Sequence, residues 1–213
     1  MSDLGDTTTD EPTDTGGSYD ADINGDGVTD DVTNVEYTDG THAGIVDTDH
    51  DGDADMVASD TDHDGKFDTL DTDENNDGKL ETSYVDSNED GRIDSMSSDT
   101  DGDGRVDTVA VDSNNDGLVD AVGTDTDHDG RIDTVAVDTN NDGVADAVGT
   151  DSDGDGRMDT VVADTNHDGR ADTTAVDRDE DGRADVILTD ADGDGVQETV
   201  SYGDGGGNPY TTG

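Results

Sequence analysis

The chain has 213 residues, 61 of them acidic and 9 basic, giving a formal charge of −52, with only 26% hydrophobic and 3% aromatic residues. This composition excludes an ordinary compact core: too little apolar surface is available to offset backbone ordering, and the like charges repel one another. It makes nucleic acid and anionic membrane poor partners. No apolar run approaches the roughly 18 residues of a membrane-spanning helix, so no membrane insertion is expected.

Residues 1–21 are mainly Asp, Thr, Gly and Ser with Pro12, and read as a flexible acidic leader. The opening MSDLGDTTTD has neither the basic nor the apolar region of a signal peptide. Residues 22–46 read as degenerate repeats forming an N-terminal cap, with an isolated match DINGDGVTD at Asp22 and a damaged one around Thr38, Asp39 and Gly40. From 47 to 202, twelve tandem 13-residue units follow without a slip in register. The tail 203–213 reads as flexible. Both prolines, Pro12 and Pro209, lie outside the array, as expected if the array needs its backbone donors. With no cysteine, the sequence leaves the redox compartment open.

In all twelve units position 1 is Asp, position 5 is Asp and position 6 is Gly, while position 3 is Asp or Asn and position 9 is Asp or Glu. Those positions hold 43 of the 61 acidic residues, so the charge is placed rather than smeared as in a disordered acidic tail. Position 7 is Lys or Arg in eight units, among them Lys66, Arg105 and Arg183.

Oxygen ligands at alternate residues followed by glycine are what a hard divalent cation requires, since six to eight oxygens must turn inward from a tight loop. Glycine at position 6 permits the positive φ that wraps the chain around the ion. Position 7 would offer its backbone carbonyl, and the acid at position 9 would close the shell. The expected calcium ligands are Asp22, Asn24, Asp26 and Asp30 in the isolated match, then Asp47, Asp49, Asp51 and Asp55. Next come Asp60, Asp62, Asp64 and Asp68; Asp73, Asn75, Asp77 and Glu81; Asp86, Asn88, Asp90 and Asp94. Asp99, Asp101, Asp103 and Asp107 follow, with Asp112, Asn114, Asp116 and Asp120, and Asp125, Asp127, Asp129 and Asp133. The series continues through Asp138, Asn140, Asp142 and Asp146; Asp151, Asp153, Asp155 and Asp159; Asp164, Asn166, Asp168 and Asp172. It ends with Asp177, Asp179, Asp181 and Asp185, and with Asp190, Asp192, Asp194 and Glu198. One Ca²⁺ per repeat, up to thirteen, would halve the formal charge.

The pattern DxDxDGxxD resembles thrombospondin type 3 repeats and the calcium loops of FG-GAP integrin propellers and dockerins. The resemblance spans about residues 22–202 at loop level and implies calcium ligation. It departs from an EF-hand proper, whose position-12 Glu is replaced here by residues such as Ala110, Gly123 and Ser97, and whose flanking helices are missing. It also departs from thrombospondin repeats, which carry cysteines.

Positions 9–13 are too short for a helix and rich in Thr and Val, so each reads as a strand of four or five residues. Position 3 alternates from Asn88 to Asp179, which overlays a 26-residue period on the 13-residue one. The expected fold is an all-β repeat: an elongated two-sheet β-solenoid, β-roll-like, with calcium loops at the turns and 26 residues per coil. The alternative is an antiparallel β-meander of calcium-loop hairpins. The solenoid is preferred because a meander of such short strands leaves a sheet face uncovered. Both imply a rod.

Four histidines, His50, His63, His128 and His167, fall at position 4 and read as outward polar filler rather than transition-metal ligands. Thr82, Thr108, Thr134 and Thr160 make a row every 26 residues, which reads as β-propensity, with an ice-binding face as a minor alternative. Acidic pairs repeated identically a dozen times are ligands rather than a unique catalytic dyad, so no enzyme is expected. The resulting reading is a calcium-binding structural protein, a calcium-stabilised spacer, stalk or adhesin segment, with a calcium buffer or mineral binder as the alternative. Loops lacking the position-12 Glu would bind at about 10⁻⁴ to 10⁻³ M, as extracellular modules do. An extracellular or cell-surface location is therefore expected. The sequence identifies no protein partner.

Overall fold

The computed structural model describes residues 13–21 and 28–203. The described residues contain strands and turns and no helix. The chain divides into two units, Met1–Ile93 and Asp94–Gly213. The first holds β1 (Thr13–Ala21), β2 (Asp30–Glu36), β3 (His42–Asp47), β4 (Met56–Asp60), β5 (Thr69–Thr72) and β6 (Thr82–Val85). The second holds β7 (Ser95–Ser98), β8 (Thr108–Val111), β9 (Ala121–Thr124), β10 (Thr134–Val137), β11 (Ala147–Thr150), β12 (Thr160–Ala163), β13 (Thr173–Val176), β14 (Val186–Thr189) and β15 (Thr199–Tyr202). Within the array the four-residue strands fall on positions 10–13, where the Thr and Val content placed them.

Within each unit every strand pairs antiparallel with its neighbours in sequence. β10, for example, pairs with β9 through Val135↔Gly123 and with β11 through Val135↔Gly149. This is the meander. The two-sheet solenoid would instead need parallel pairing of each strand with the next but one. The loops explain the difference. The amide of Asp133 at position 9 donates to the carbonyl of Thr124, just before the loop opens, at 2.9 Å, and Asp146 does the same to Val137 at 2.8 Å. A loop whose two ends meet turns the chain back beside the strand it left. The 26-residue period therefore separates successive loops on the same edge of a sheet, with consecutive loops on opposite edges, and does not mark coils.

Residues 13–21, read in sequence as part of a leader, form β1, which pairs with β2. In the first unit Val32, Val35, Ala43 and Val46 make a small apolar core; among the described residues of the second, Val186 is the one buried hydrophobic side chain. The remaining strand residues there are mostly half-buried. Large residues face small ones across the ladder, Val135 between Gly123 and Gly149, and position-8 side chains fold over the glycines. A Cβ on Gly123 would lie 3.0 Å from Ile132 Cγ2, and one on Gly149 3.1 Å from Met158 Sδ. The threonines form an unbroken cross-strand row, since Thr124 pairs with both Thr108 and Thr134, and Thr150 with both Thr134 and Thr160. Such pairs stabilise a sheet by a few tenths of a kcal/mol each, up to about 1 kcal/mol.

Nuclear Overhauser contacts between Val135 and both Gly123 and Gly149 are expected, with none between Val135 and Val109 or Val161. The reverse pattern would restore the coil.

Candidate metal centre

Each loop is built by its own aspartates. At position 1 of most loops both carboxylate oxygens act as caps: in Asp138, Oδ1 accepts the Asn141 amide at 2.8 Å and Oδ2 the Gly143 amide at 2.7 Å. Asp60 does the same for His63 at 2.7 Å and Gly65 at 2.9 Å. At position 3, Asp127 Oδ1 accepts the amide of Asp129 at 3.1 Å, and at position 5, Asp142 Oδ1 accepts that of Val144 at 2.9 Å. At position 9, Asp133 Oδ2 accepts the amide and the hydroxyl of Thr126, at 2.9 and 2.8 Å. This repeats in most units, for example Asp146 with Thr139 and Asp172 with Thr165.

Two left-handed residues bend each loop. Position-6 glycines have φ of 86–99°, as the sequence reading required. Position 4 is left-handed as well, from 56° at Glu89 to 75° at Gly102. That conformation favours Gly, Asn and His, the residues found there in ten of twelve units.

Burial sorts the carboxylates. All buried aspartates of the array stand at position 1 or 9, such as Asp112, Asp125, Asp133 and Asp151, while positions 3 and 5 form the rim. The oxygens converge. In the loops opening at Asp47 and Asp60, one oxygen each from positions 1, 3 and 9 lies within 4.8 Å of the others. In the last loop Asp190, Asp192, Asp194 and Glu198 all meet within that distance. Position 5 of the first two loops, Asp51 and Asp64, is not in these groups, and Asp64 gathers instead with Asp62 and Glu89. Asp22, Asn24 and Asp26 lie outside the described residues; Asp30 is described, and is fully buried at the start of β2.

The site also shows what its own donors leave unmet. Both carboxylate oxygens of Glu81 are shielded from water without a hydrogen-bond partner. Burial, followed by the nearby charges of Asp73 and Asp77, raises its pKa. Asp125, 4% exposed, has its Oδ1 in the same condition. Buried acceptors crowded by like charges fit a hard cation, which would neutralise them and complete their coordination. The residues present therefore suit a group such as Ca²⁺, held by positions 1, 3, 5 and 9.

Comparisons with protein-family models, with curated proteins and with solved structures found no match for this chain.

Two features escaped the sequence reading. Position 2 is Ser or Thr in nine of twelve units and secures position 9, a pattern visible in the repeat. At position 4 the four histidines are exposed, as expected, but the position is not idle filler. It reaches the loop 26 residues earlier, on the same sheet edge. His128 Nδ1 lies 2.9 Å from Asp107 Oδ1 and 3.3 Å from Asp101 Oδ2, and His167 Nδ1 is 2.7 Å from Asp146 Oδ1. Asn141 Nδ2 donates to Asp116 Oδ2 at 3.0 Å. In the opposite direction, Arg105 donates to the Asp129 carbonyl at 2.8 Å, and Arg131 and Arg157 donate to the carbonyls of Gly154 and Glu180.

The Thr100 hydroxyl, then the His128 imidazole, holds the Asp107 carboxyl down to about 2 from the ordinary 3.8. A depressed acid contributes stability in full above its unfolded value, and that contribution is lost as pH falls through the folded one. Carboxyl ¹³C NMR under conditions where circular dichroism shows the strands folded should show Asp107 titrating near 2, with Thr100→Ala moving it upward; an Asp107 titration near 3.8 in the folded parent would discredit the clamp. Gly143→Ala tests the loop bend, because φ is +86° and no atom lies within 4 Å of the added Cβ. A loss of about 1–3 kcal/mol is expected from thermal or urea unfolding.

Proposed function

We propose that the chain is a calcium-binding repeat protein whose loops take one ion each, and that it serves as a calcium-stiffened spacer or stalk outside the cell. The observation that carries the reading is the convergence of carboxylates from positions 1, 3, 5 and 9 in the loop of Asp190, Asp192, Asp194 and Glu198, within 4.8 Å. The loop-level resemblance to thrombospondin type 3 repeats points the same way.

The ion would supply positive charge where acidic residues stand at the roots of the repeat strands. Ligand binding to the folded state alone stabilises it by mass action, so folding and calcium would form one linked equilibrium. Sites of the extracellular class, about 10⁻⁴ to 10⁻³ M, would fill at the calcium levels of external fluids. A spacer needs saturation under ambient conditions; a buffer or mineral binder, the second reading, needs midpoints near them. The repeated, identical sites suit ligation rather than catalysis.

Titrating calcium into the chelated protein, up to about 10 mM, while recording far-UV circular dichroism and hydrodynamic radius, should give a saturable gain of β signal reversed by EDTA. Binding without structural change would favour the buffer. No heat of binding by isothermal calorimetry would end the calcium reading altogether.

A further inference from the structure

The rims of the two sheet edges differ in chemistry. In the unit Asp94–Gly213, the loops opening at Asp99, Asp125, Asp151 and Asp177 share one edge, and those at Asp112, Asp138, Asp164 and Asp190 share the other, because consecutive hairpins turn at opposite ends of the strands. On the first edge position 3 is always Asp: Asp101, Asp127, Asp153 and Asp179. On the second it is Asn114, Asn140 and Asn166, with Asp192 only in the last loop. Position 7 follows suit. The first edge has Arg in all four loops, whereas the second has Leu118, Val144, Arg170 and Val196.

The exchange of Asp for Asn alters each loop from within. Asn114 Nδ2 donates to Asp120 Oδ1 at 2.9 Å, and Asn140 Nδ2 to Asp146 Oδ1 at 3.4 Å. In these two loops a neutral donor from the same loop thus already occupies the position-9 oxygen, joined at Asp146 by His167, whereas Asp107 Oδ1 on the other edge meets only a histidine of the next loop, His128. On the Asp edge the same place holds a second carboxylate, which repels position 9. It is also on this edge that the buried Asp125 has an oxygen without a partner. Ligand charge and site rigidity set calcium affinity over several decades. The position-7 arginines do not cancel the difference, since Arg105, Arg131 and Arg157 direct their guanidinium groups to backbone carbonyls of the following loop.

We infer that this unit carries two unlike rows of calcium sites, one per sheet edge: a tighter row with Asp at position 3 and a weaker row with Asn. The inference rests on the calcium reading above. Filling would begin along one edge and pass to the other as calcium rises, so the sheet would stiffen in two stages.

The test is calorimetric titration of the chelated full chain with calcium chloride. The parent should show two classes of site separated by about tenfold in affinity. The triple variant N114D/N140D/N166D should move sites from the weaker class to the tighter. The reciprocal D127N/D153N, which lowers repulsion and so retains the fold, should move sites the other way. A single class in the parent, or class occupancies unchanged in the reciprocal variant, would overturn the two-row inference while leaving calcium binding intact. Absence of any calcium heat would instead remove the underlying reading, and this inference with it.

Discussion

The structure depends on burying aspartate. Among its described residues the second unit buries twelve aspartates and one hydrophobic side chain, Val186, which inverts the usual order of protein interiors. A buried carboxylate is tolerable only when its oxygens are bonded and its charge is met. The loops meet the first requirement for most of these oxygens, with backbone amides and with the position-2 hydroxyls, but not for Asp125 Oδ1. They meet the second only in part, as at Asp107 beside His128. The chain carries little positive charge of its own, and the converging carboxylates could hold a cation that meets the rest.

The same aspartates set the topology. Position 9 ends the loop just before the strand: its carboxylate is held by position 2, its amide bonds the residue before position 1, and its carbonyl accepts the position-1 amide of the next loop on the same edge, as in Asp138 N to Asp120 O at 2.8 Å. Each loop is thereby a closed hairpin, and the chain has no means of crossing to a second layer. The objection that a meander leaves its faces bare is answered locally. Val stands opposite Gly and Ala along the ladder, and Ile132 and Met158 lie over Gly123 and Gly149, so a thin sheet half-buries its apolar atoms without a partner layer.

Much of this was legible in the repeat. The positions of the strands and the positive φ of position 6 follow from alternation, spacing and glycine. The 26-residue period was legible too, but not its meaning, because an edge-alternating meander and a two-strand coil share it. What distinguishes them is the bond between Asp133 and Thr124, which no residue type announces. The role of position 4 was hidden for a similar reason. His128 touches Asp107 only because two loops 26 residues apart become neighbours. β1 falls outside the repeat, so no periodicity marked it.

Neighbouring strands are about 4.8 Å apart, so same-edge loops repeat at roughly 10 Å, close to the screening length of about 8 Å in physiological salt. At that spacing each acidic loop feels the next. The covariation of positions 3 and 7 answers this repulsion. An Asp-edge loop such as that of Asp125 carries four acids and Arg131; an Asn-edge loop such as that of Asp138 carries three acids and Val144. The two edges thus reach the same net side-chain charge by different routes. The arginine lies on the carbonyl of the following loop on its edge, as Arg105 does on Asp129, rather than among the carboxylates of its own. Charge is therefore balanced between loops without lowering the ligand count within them, and a chain so acidic can stack its loops at sheet spacing while keeping every carboxylate that a cation would use.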